Sequence, residues 1–310
     1  MYQYIPLVVI LLVLPLLWYF YSQKKSGGGF MESSSSILTK YSRDLNRLAS
    51  EKNIDPVIGR EREISRVIQI LSRRNKNNPV LVGSAGIGKT AIVEGLAEAI
   101  VSKRVPPSLD GKKVLALDLT GILAGTKYRG EFEQRLKKIV DEIAAAKRSI
   151  ILFIDEIHIL AEAGQAEGAI NAADILKPLL ARGELQVVGA TTKEEYEQFI
   201  KKDKTLDRRL QPIFVYEPTI EQTHKILEGI APVYEKYHGV KITPQALNEA
   251  VRATKFLKNR SYPDKAIDAI DESCSKVHID SIHRNSAKRG TITVTGKDVL
   301  EVIKQWKQDA

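Results

Sequence analysis

Residues 79 to 90 are Pro-Val-Leu-Val-Gly-Ser-Ala-Gly-Ile-Gly-Lys-Thr, an apolar run that passes directly into the pattern G-x-x-x-x-G-K-T. The apolar run is typical of a buried strand, and the residues from Ala91 to Leu96 continue as a helix. In such a unit, glycines let backbone N–H groups face a phosphate, and the positive N-terminus of the helix attracts the same anion. The sequence therefore predicts a nucleotide-binding loop rather than a glycine turn that binds nothing.

The loop residues have separate expected roles. Lys89 is expected to reach the β- and γ-phosphates, and the Thr90 hydroxyl is expected to hold Mg²⁺. The remaining positions are expected to surround the nucleotide; they are Gly83, Ser84, Ala85, Gly86, Ile87, Gly88 and Ala91. ATP and Mg²⁺ are therefore the predicted cofactors.

A second apolar run ends in two carboxylates, because residues 150–156 are Ile-Ile-Leu-Phe-Ile-Asp-Glu. At the carboxyl end of a parallel strand these side chains would lie beside the phosphate loop. Asp155 is expected to hold the Mg²⁺ shell through water, and Glu156 to orient and deprotonate the water that attacks the γ-phosphate. His158 is interpreted as a hydrogen-bonded helix residue rather than a ligand.

A third strand candidate, residues 186–192, is Gln-Val-Val-Gly-Ala-Thr-Thr and ends in two hydroxyls. Either hydroxyl is suited to hydrogen-bond the γ-phosphate or the attacking water. Farther along the chain, Arg208 and Arg209 place two guanidinium groups side by side. In a ring of subunits, one of them can reach the ATP of a neighbour and stabilise the transferring phosphoryl group. As an isolated pair, they are equally well explained as a solvated surface.

Apolar runs alternate with longer amphipathic segments over the first two thirds of the chain. A helix is predicted over Ile37–Lys52, and further strand candidates are Lys113–Leu119, Ile150–Ile154 and Gln186–Ala190. This alternation predicts an α/β fold with a parallel sheet in three layers. After Pro218, helical periodicity dominates and predicts a small helical lid domain. The expected domains are residues 37–217 and 218–310.

Several motifs, in this order along the chain, are similar to those of one family. Besides the phosphate loop, they are Asp55–Arg60, Asn77–Gly83, Ala124–Phe132, Phe153–Glu156, Ala181–Leu185 and Pro263–Asp268. Over about Leu38 to Trp306 the sequence resembles the first ATPase ring of Clp-type AAA+ unfoldases and disaggregases. The resemblance implies an AAA+ P-loop NTPase fold, ATP hydrolysis and a homo-oligomer, expected to be a hexamer.

The same resemblance implies further site residues. Val57 and Ile58 would pack on the adenine, and Thr192 would be the first sensor of the γ-phosphate, with Thr191 as a close alternative. The adjacent arginines described above match the arginine fingers that the family supplies in trans. Lys265 lies where the second sensor would sit, although first-ring Clp domains depart from the usual arginine there.

One motif indicates what the ATP is used for, and it contains Lys127, Tyr128 and Arg129. In the corresponding loop of the family, an aromatic residue between basic residues lines a central pore and grips a threaded polypeptide. An aromatic side chain offers sequence-tolerant packing at a low cost in rotamer entropy. A plain exposed loop tyrosine is the alternative, and the glycines at 125 and 130 favour the pore loop.

The N-terminal segment is strongly apolar, since Tyr4–Tyr21 contains no charged residue. Its length is close to the roughly 20 residues that cross a hydrocarbon core. Lys24 and Lys25 follow at once and no Lys or Arg precedes, which predicts an outward N-terminus and a cytoplasmic ATPase. The expected membrane is a bacterial plasma membrane, with an organellar membrane as the alternative. A cleavable secretory signal would normally begin with basic residues and end in an A-x-A-like site. Residues 1–25 are therefore predicted to be a single transmembrane helix, and residues 26–36 a flexible linker.

Composition narrows the choice of partners. The formal net charge is +9, but the 47 basic residues are scattered among 38 acidic ones rather than gathered in a stripe. Nucleic-acid binding is therefore not expected, although the excess charge can favour anionic lipid. The single cysteine, Cys274, excludes a disulfide framework and a cysteine-rich zinc site.

The 310 residues contain no second phosphate loop, no coiled-coil insertion and no candidate loop for docking a peptidase. With the resemblance, this predicts an ATP-driven hexameric motor that threads membrane-associated polypeptides through a central pore. A nucleotide-switched membrane scaffold and a nucleic-acid remodelling ATPase are the alternatives.

Overall fold

The computed structural model describes residues 36–123, 129–159, 175–176, 179–180, 185–283 and 292–308. The predicted transmembrane helix lies outside these residues, and so do Lys127 and Tyr128 of the predicted pore loop. Among the residues that are described, no helix is long and apolar enough to cross a membrane.

A six-stranded sheet forms the centre of the larger domain, in the order β1-β3-β4-β5-β2-β6. Its strands are β1 Ser42–Asp44, β2 Asn78–Val82, β3 Lys113–Leu117, β4 Ile150–Ile154, β5 Gln186–Thr191 and β6 Leu210–Phe214. Strands β2 to β6 run parallel to one another, whereas β1 pairs antiparallel with β3. The sheet is therefore mixed, which corrects the fully parallel sheet expected from the sequence.

Side chains of the central strands alternate between two cores. Along β4, Ile150, Leu152 and Ile154 belong to one core, and Ile151 and Phe153 belong to the other. A parallel strand buried on both faces must be apolar at every position, which is why β4 is a continuous apolar run. The predicted three-layer arrangement is confirmed.

Helices cover both faces of this sheet. They are α1 Ile37–Lys40, α2 Leu45–Ser50, α3 Glu61–Leu71, α4 Lys89–Val101, α5 Leu119–Leu123, α6 Arg129–Ala145, α7 Lys193–Glu195 and α8 Lys204–Asp207, with a π-helix at Tyr196–Ile200. Helices α3 and α4 contribute to one core, and α6 contributes to the core on the opposite face.

The helix predicted over Ile37–Lys52 is wrong in its middle, where β1 separates α1 from α2. Asp44 accounts for the new helix start, because its carboxylate accepts a hydrogen bond from the Arg47 N–H at 3.0 Å. The residues before Asp44 pair with β3 instead of continuing as a helix. The chain thereby gains the antiparallel edge strand.

Strand β6 is absent from the sequence prediction. Pro212 lies in its middle, and proline lacks the N–H that a central strand requires. The proline is accommodated because β6 is an edge strand, which among the described strands pairs only with β2. The Val215 N–H continues the pairing by donating to the Val82 carbonyl at 2.8 Å. The chain therefore leaves the sheet beside the phosphate loop.

A separate core follows residue 219. Its elements are α9 Ile220–His238, β7 Lys241–Ile242, α10 Pro244–Thr254, α11 Asp264–His283, β8 Thr293–Val294 and α12 Gly296–Gln308. Thr219 begins α9 with a capping box, and Gly239 ends it in the left-handed conformation. Buried Ala250, Ala266 and Cys274 lie in the core between these helices. The predicted helical domain is confirmed, and β7 and β8 add a small parallel pair.

Candidate nucleotide-binding site

Three neighbouring strands bring the predicted site residues together at the carboxyl ends of the strands. Strand β2 leads into the phosphate loop, β4 into Asp155 and Glu156, and β5 into Thr191 and Thr192. A cavity of about 460 Å³ lies at these ends, lined by all four of these residues and by 85–91 of the loop and helix. The start of the loop, Gly83 and Ser84, is not among the lining residues.

Several positions of the phosphate loop require glycine, including Gly83 and Gly88. Gly88 has a φ of 90° and begins α4 in the left-handed region. At Gly83 a Cβ atom would collide with the Ile87 side chain and with the Val215 carbonyl. The N-terminus of α4 lies in the cavity wall, where its free N–H groups and its dipole favour an anion.

Lys89 folds back onto its own loop. Its Nζ donates hydrogen bonds to the Gly83 carbonyl at 2.8 Å and to the Ser84 carbonyl at 2.9 Å. Burial lowers the pKa of Lys89, and nearby carboxylates oppose that shift. These carboxylates belong to Asp155, Glu195 and Glu156. A cation held in this position is suited to bind a phosphate.

Glu156 has a backbone conformation that non-glycine residues rarely adopt. Its φ is 51°, in the left-handed region. Its N–H donates to Asp155 Oδ1 at 3.0 Å, within the turn that follows β4. Both residues are exposed and line the cavity. Backbone strain of this kind costs about 1–3 kcal/mol and concentrates at functional sites.

Glu195 organises the two threonines at the end of β5. Its Oε2 accepts hydrogen bonds from the Thr191 hydroxyl at 3.0 Å and from the Thr192 N–H at 2.9 Å. Its own N–H donates to Thr192 Oγ1 at 3.2 Å, which completes a capping box. Burial by itself would raise the pKa of Glu195, but hydrogen bonds from both threonines and the proximity of His158 lower it overall. Glu195 is therefore a carboxylate in the cavity wall.

His158 is buried and hydrogen-bonded, although it lies in a turn rather than in the expected helix. Its Nδ1 lies 3.2 Å from Thr191 Oγ1 and 3.1 Å from Glu195 Oε2. Its ring stacks on Phe199, with the ring centres 6.0 Å apart. Across the described part of the chain, no group of three or more His, Cys, Asp or Glu side chains is placed to hold a metal.

The far wall of the cavity belongs to both domains. Val57 and Ile58 line it from the larger domain, opposite residues of the lid. The lid residues are Ile226, Ile230, Tyr234, Pro263, Asp264 and Ile267. Ile58 lies so close to Gly229 of α9 that a Cβ atom there would collide with Ile58 Cδ1. An apolar wall of this kind suits a flat base.

Tyr234 is half-buried in the lid wall of this cavity. Its pKa is raised to about 12, chiefly by burial and then by four carboxylates. These belong to Asp55, Asp271, Asp268 and Asp264. Two of these carboxylates, Asp55 and Asp264, also line the cavity itself.

Lys265, the predicted second sensor, does not line the cavity. Its side chain is 7% exposed, and its Nζ lies 3.7 Å from Glu217 Oε1. The same nitrogen donates to the Leu257 carbonyl at 3.4 Å and lies 4.0 Å from the centre of the Tyr262 ring. The neighbouring Asp264 lines the cavity instead. The structure therefore does not bring Lys265 to the site, because its ammonium group is held by these partners.

The predicted arginine fingers also lie outside the cavity, directly after α8. Arg208 is exposed and Arg209 is half-buried. A finger that acts in trans must lie outside the cavity of its own subunit, so this position is compatible with the prediction and does not test it. Of the predicted pore loop, the described residues include only the backbone of Arg129, at the start of α6.

Several residues of the cavity are missing from the sequence prediction. They include Arg60, Glu94, Glu195, Tyr234 and Asp264. Glu195 had a readable signal, because Thr192-x-x-Glu195 has the spacing of a capping box. Arg60 and Asp264 fall in the motifs Asp55–Arg60 and Pro263–Asp268, and Glu94 lies in the helix that follows the phosphate loop. Tyr234 reaches the cavity through packing between the two domains.

Two family comparisons agree with this geometry. Residues 79–215 match the ATPase family associated with various cellular activities (AAA), and residues 219–307 match the AAA lid domain. The phosphate loop and the carboxylates lie in the first segment, and the lid wall of the cavity lies in the second. The two segments are an AAA-type ATPase domain and its lid.

Two relatives define the family of the chain within the AAA proteins more closely. Chaperone protein ClpB of Aquifex aeolicus is 56% identical over 242 residues, which are 78% of this chain and 24% of that protein. The ATP-dependent Clp protease ATP-binding subunit ClpC of Staphylococcus saprophyticus is 54% identical over 273 residues, which are 88% of this chain and 32% of that protein. The chain therefore belongs to the Clp type of AAA+ proteins, and it spans about a quarter to a third of the length of these relatives.

A solved structure supports the same placement. It is a closed-state cryo-EM reconstruction of Hsp104 with ATPγS and FITC-casein, which matches with a TM-score of 0.78 and 42% identity. The match covers 88% of this chain and 45% of that chain. The similarity therefore includes both the ATPase domain and the lid.

Proposed function

We propose that the chain is an ATP-driven motor that threads polypeptides through the pore of a ring at a membrane surface. The observation that carries the proposal is the convergence of the phosphate loop, Lys89 and Glu156 on one cavity. Lys89 would neutralise the β- and γ-phosphates, and Glu156 would accept the proton of the attacking water. Thr90 and Asp155 fit Mg²⁺, because both offer oxygen atoms in the cavity wall. The ion would neutralise charge on the phosphates.

We infer that Thr192 rather than Thr191 is the first sensor. The Thr191 hydroxyl proton is donated to Glu195, and Thr191 is only 2% exposed. The Thr192 oxygen instead accepts a hydrogen bond from the Glu195 N–H, which leaves its own proton for a phosphate or water oxygen. Glu195 would thus hold Thr192 in place through its carboxylate and its backbone N–H.

The ring is proposed from the two arginines and from the family. Arg208 or Arg209 would reach the nucleotide of the neighbouring subunit and stabilise the transferring phosphoryl group, a contribution of about 10³–10⁵ in rate in other NTPases. Six subunits are the expected number. Because each finger would complete a neighbour's site, hydrolysis would depend on assembly.

Threading is proposed from Tyr128 and from a relative. The similar Hsp104 structure contains casein, a polypeptide. Tyr128, between Lys127 and Arg129, would pack on the passing side chains of a client. Polypeptides are therefore the proposed substrate, and nucleic acid is not.

The membrane location is proposed from the apolar stretch Tyr4–Tyr21 and from the way the chain enters the ATPase domain. The Ile37 and Leu38 N–H groups donate to the Glu142 carboxylate of α6 at 3.0 and 3.2 Å. Helix α6 directly follows the proposed pore loop. A linker of about 11 residues spans about 18 Å as a coil, so the bilayer would lie close to the ring and clients would be membrane-associated.

A client trap tests this function. The variant Glu156→Gln in native membranes is expected to bind ATP, to hydrolyse it slowly and to retain membrane-associated polypeptides, which crosslinking and mass spectrometry identify. A Glu156→Gln, Lys89→Ala double variant is the control, because it should not bind ATP and should retain no client. Recovery of cytosolic clients alone would contradict the membrane part of the proposal.

The pore-loop residue separates a motor from a membrane scaffold. Tyr128→Ala is expected to keep ATPase activity and lose client retention, whereas Tyr128→Phe should keep both because the aromatic ring remains. Tyr237→Ala, which removes a lid tyrosine that is 83% exposed, is the matched control. Full client retention by Tyr128→Ala would favour the scaffold.

A further inference from the structure

Arg60 is a buried cation in the wall of the nucleotide cavity, only 6% exposed. Its guanidinium contacts three separate segments of the chain. Nη2 donates to the Ile87 carbonyl of the phosphate loop, and Nη1 donates to Glu63 Oε1 at 3.1 Å and to the Tyr216 carbonyl at 3.3 Å. Glu63 balances the buried charge. The two carbonyl contacts link the loop to the segment that follows the sheet.

The contact with Ile87 fixes one peptide group of the loop. In a planar trans peptide, the carbonyl and the N–H of the next residue point in opposite directions. Arg60 holds the Ile87 carbonyl and therefore directs the Gly88 N–H away from itself. Gly88 lines the cavity and begins α4 with a φ of 90°. Arg60 thus selects the orientation of an N–H group at the anion-binding end of the helix.

The contact with Tyr216 reaches the segment that joins the two domains. The next residue, Glu217, accepts a hydrogen bond from the Tyr262 N–H at 2.6 Å and pairs with Lys265 at 3.7 Å. Tyr262 and Lys265 belong to the lid. Arg60 and the lid therefore hold adjacent residues of the joining segment.

We propose that Arg60 is a positioning residue that sets the phosphate loop and couples it, through Tyr216 and Glu217, to the lid. This inference rests on the proposed function, because it requires that the cavity binds a nucleotide. Movement of the lid displaces Glu217 and Tyr216, and Arg60 transmits that displacement to the loop. Lys265 acts in the same path by holding Glu217, which accounts for a lysine near the expected second-sensor position that does not line the cavity.

Two substitutions of Arg60 test the proposal in the full chain. Arg60→Lys keeps a charge opposite Glu63 but replaces the planar fork by a single ammonium group, and Arg60→Met removes every donor. Arg66→Met is the matched control, because Arg66 is an exposed residue of α3 whose partner is Gln69. ADP affinity is measured by calorimetry, folding by the thermal midpoint, and hydrogen exchange over residues 83–90 and 215–218 with and without ADP.

Arg60→Lys is expected to bind ADP about tenfold more weakly than the unmodified chain, and Arg60→Met more weakly still. In Arg60→Lys, ADP should no longer slow exchange over residues 215–218, whereas Arg66→Met should behave as the unmodified chain. Unchanged ADP affinity with only a lower thermal midpoint would overturn the proposal. Failure of the unmodified chain to bind ADP would overturn the proposed function instead.

A second variant addresses the path to the lid without touching the cavity wall. Glu217→Gln weakens the pairing with Lys265 and leaves Arg60 intact. Its effect on ADP affinity, about threefold, should not add to that of Arg60→Lys, because both interrupt one path. Additive effects of the two substitutions would contradict the coupling and leave Arg60 with a role in the loop alone.

Discussion

The phosphate side and the lid side of the cavity are built in different ways. On the phosphate side, short motifs follow buried parallel strands, so neighbours in the sheet bring Lys89, Glu156 and Thr192 together. On the lid side, the wall comes from residues such as Ile58, Tyr234 and Asp264, which meet only when two domains pack. The proposed chemistry thus relies on residues at strand ends, whereas the proposed retention of the nucleotide and its coupling to the lid rely on contacts between the two domains.

The largest expected effect lies on the phosphate side. Glu156→Gln should lower kcat by about 10²–10⁴, because the amide cannot accept the proton of the attacking water. ADP affinity should change little, since Glu156 is exposed and donates no group to the loop. Steady-state phosphate release and calorimetry measure the two quantities. A loss of affinity as large as the loss of rate would mean that Glu156 holds the nucleotide rather than activates water.

The next effect lies on the lid side, at Gly229. A Cβ atom there collides with Ile58, so Gly229→Ala should displace Ile58 and weaken ADP binding about tenfold, within the range of overpacking energies. The kcat at saturating ATP should fall much less. Ile58→Val removes the Cδ1 atom that the new methyl group would meet. The double variant should therefore recover most of the lost affinity, and failure to recover would show that Ile58 is not the reason for glycine.

Substitution of Lys265 should have a smaller effect. It distinguishes a residue that holds the joining segment from a second sensor. If it holds the joining segment, Lys265→Met should lower the thermal midpoint by about 2–6 °C, because Glu217 loses its cationic partner and keeps the hydrogen bond from the Tyr262 N–H. ADP affinity should fall less than about fivefold. Lys255→Met, at an exposed lysine, is the control. A loss of hydrolysis above about a hundredfold at an unchanged midpoint would restore the second-sensor interpretation.

Tyr234 gives the smallest effect, on the pH dependence of stability. Its pKa in the folded protein is raised to about 12 from 10.0. The folded state therefore retains the phenol proton that the unfolded state loses, so its contribution is present below pH 10 and is lost as the pH rises toward 12. For a half-buried group the loss is about 1 kcal/mol. The free energy of unfolding, measured by urea denaturation, should fall more between pH 9 and pH 11 for the unmodified chain than for Tyr234→Phe. An equal fall in the two proteins would contradict this prediction.

The difference between the phosphate side and the lid side also explains which parts of the fold and of the site can be predicted from the sequence. Continuous apolar strands and the motifs at their ends are local, so the sequence alone predicts that the phosphate loop, Asp155 and Glu156 lie at strand ends. It does not predict strand β6, because Pro212 is tolerated only through its place at the edge of the sheet. Lys265 was assigned by similarity in sequence position, whereas its side chain is held by Glu217 across the domain boundary.

The break after α1 has a similar cause. Helical periodicity alone joins Ile37 to Lys52, and the strand between them exists because β3 offers a free edge. A single residue, Asp44, marks the restart of the helix by its cap. Caps of this kind are readable in sequence, but the edge that accepts β1 becomes known only when the sheet order is known.

We propose that ATP binding in this cavity prepares a ring to hold a polypeptide. The most direct measurement is the fluorescence anisotropy of FITC-casein with the full chain in detergent, with ATPγS or with ADP, for the unmodified chain and for Tyr128→Ala. The account predicts tight binding with ATPγS, at least about tenfold weaker binding with ADP, and a comparable loss in Tyr128→Ala. Casein binding that is equal with both nucleotides and unaffected by Tyr128→Ala would contradict it.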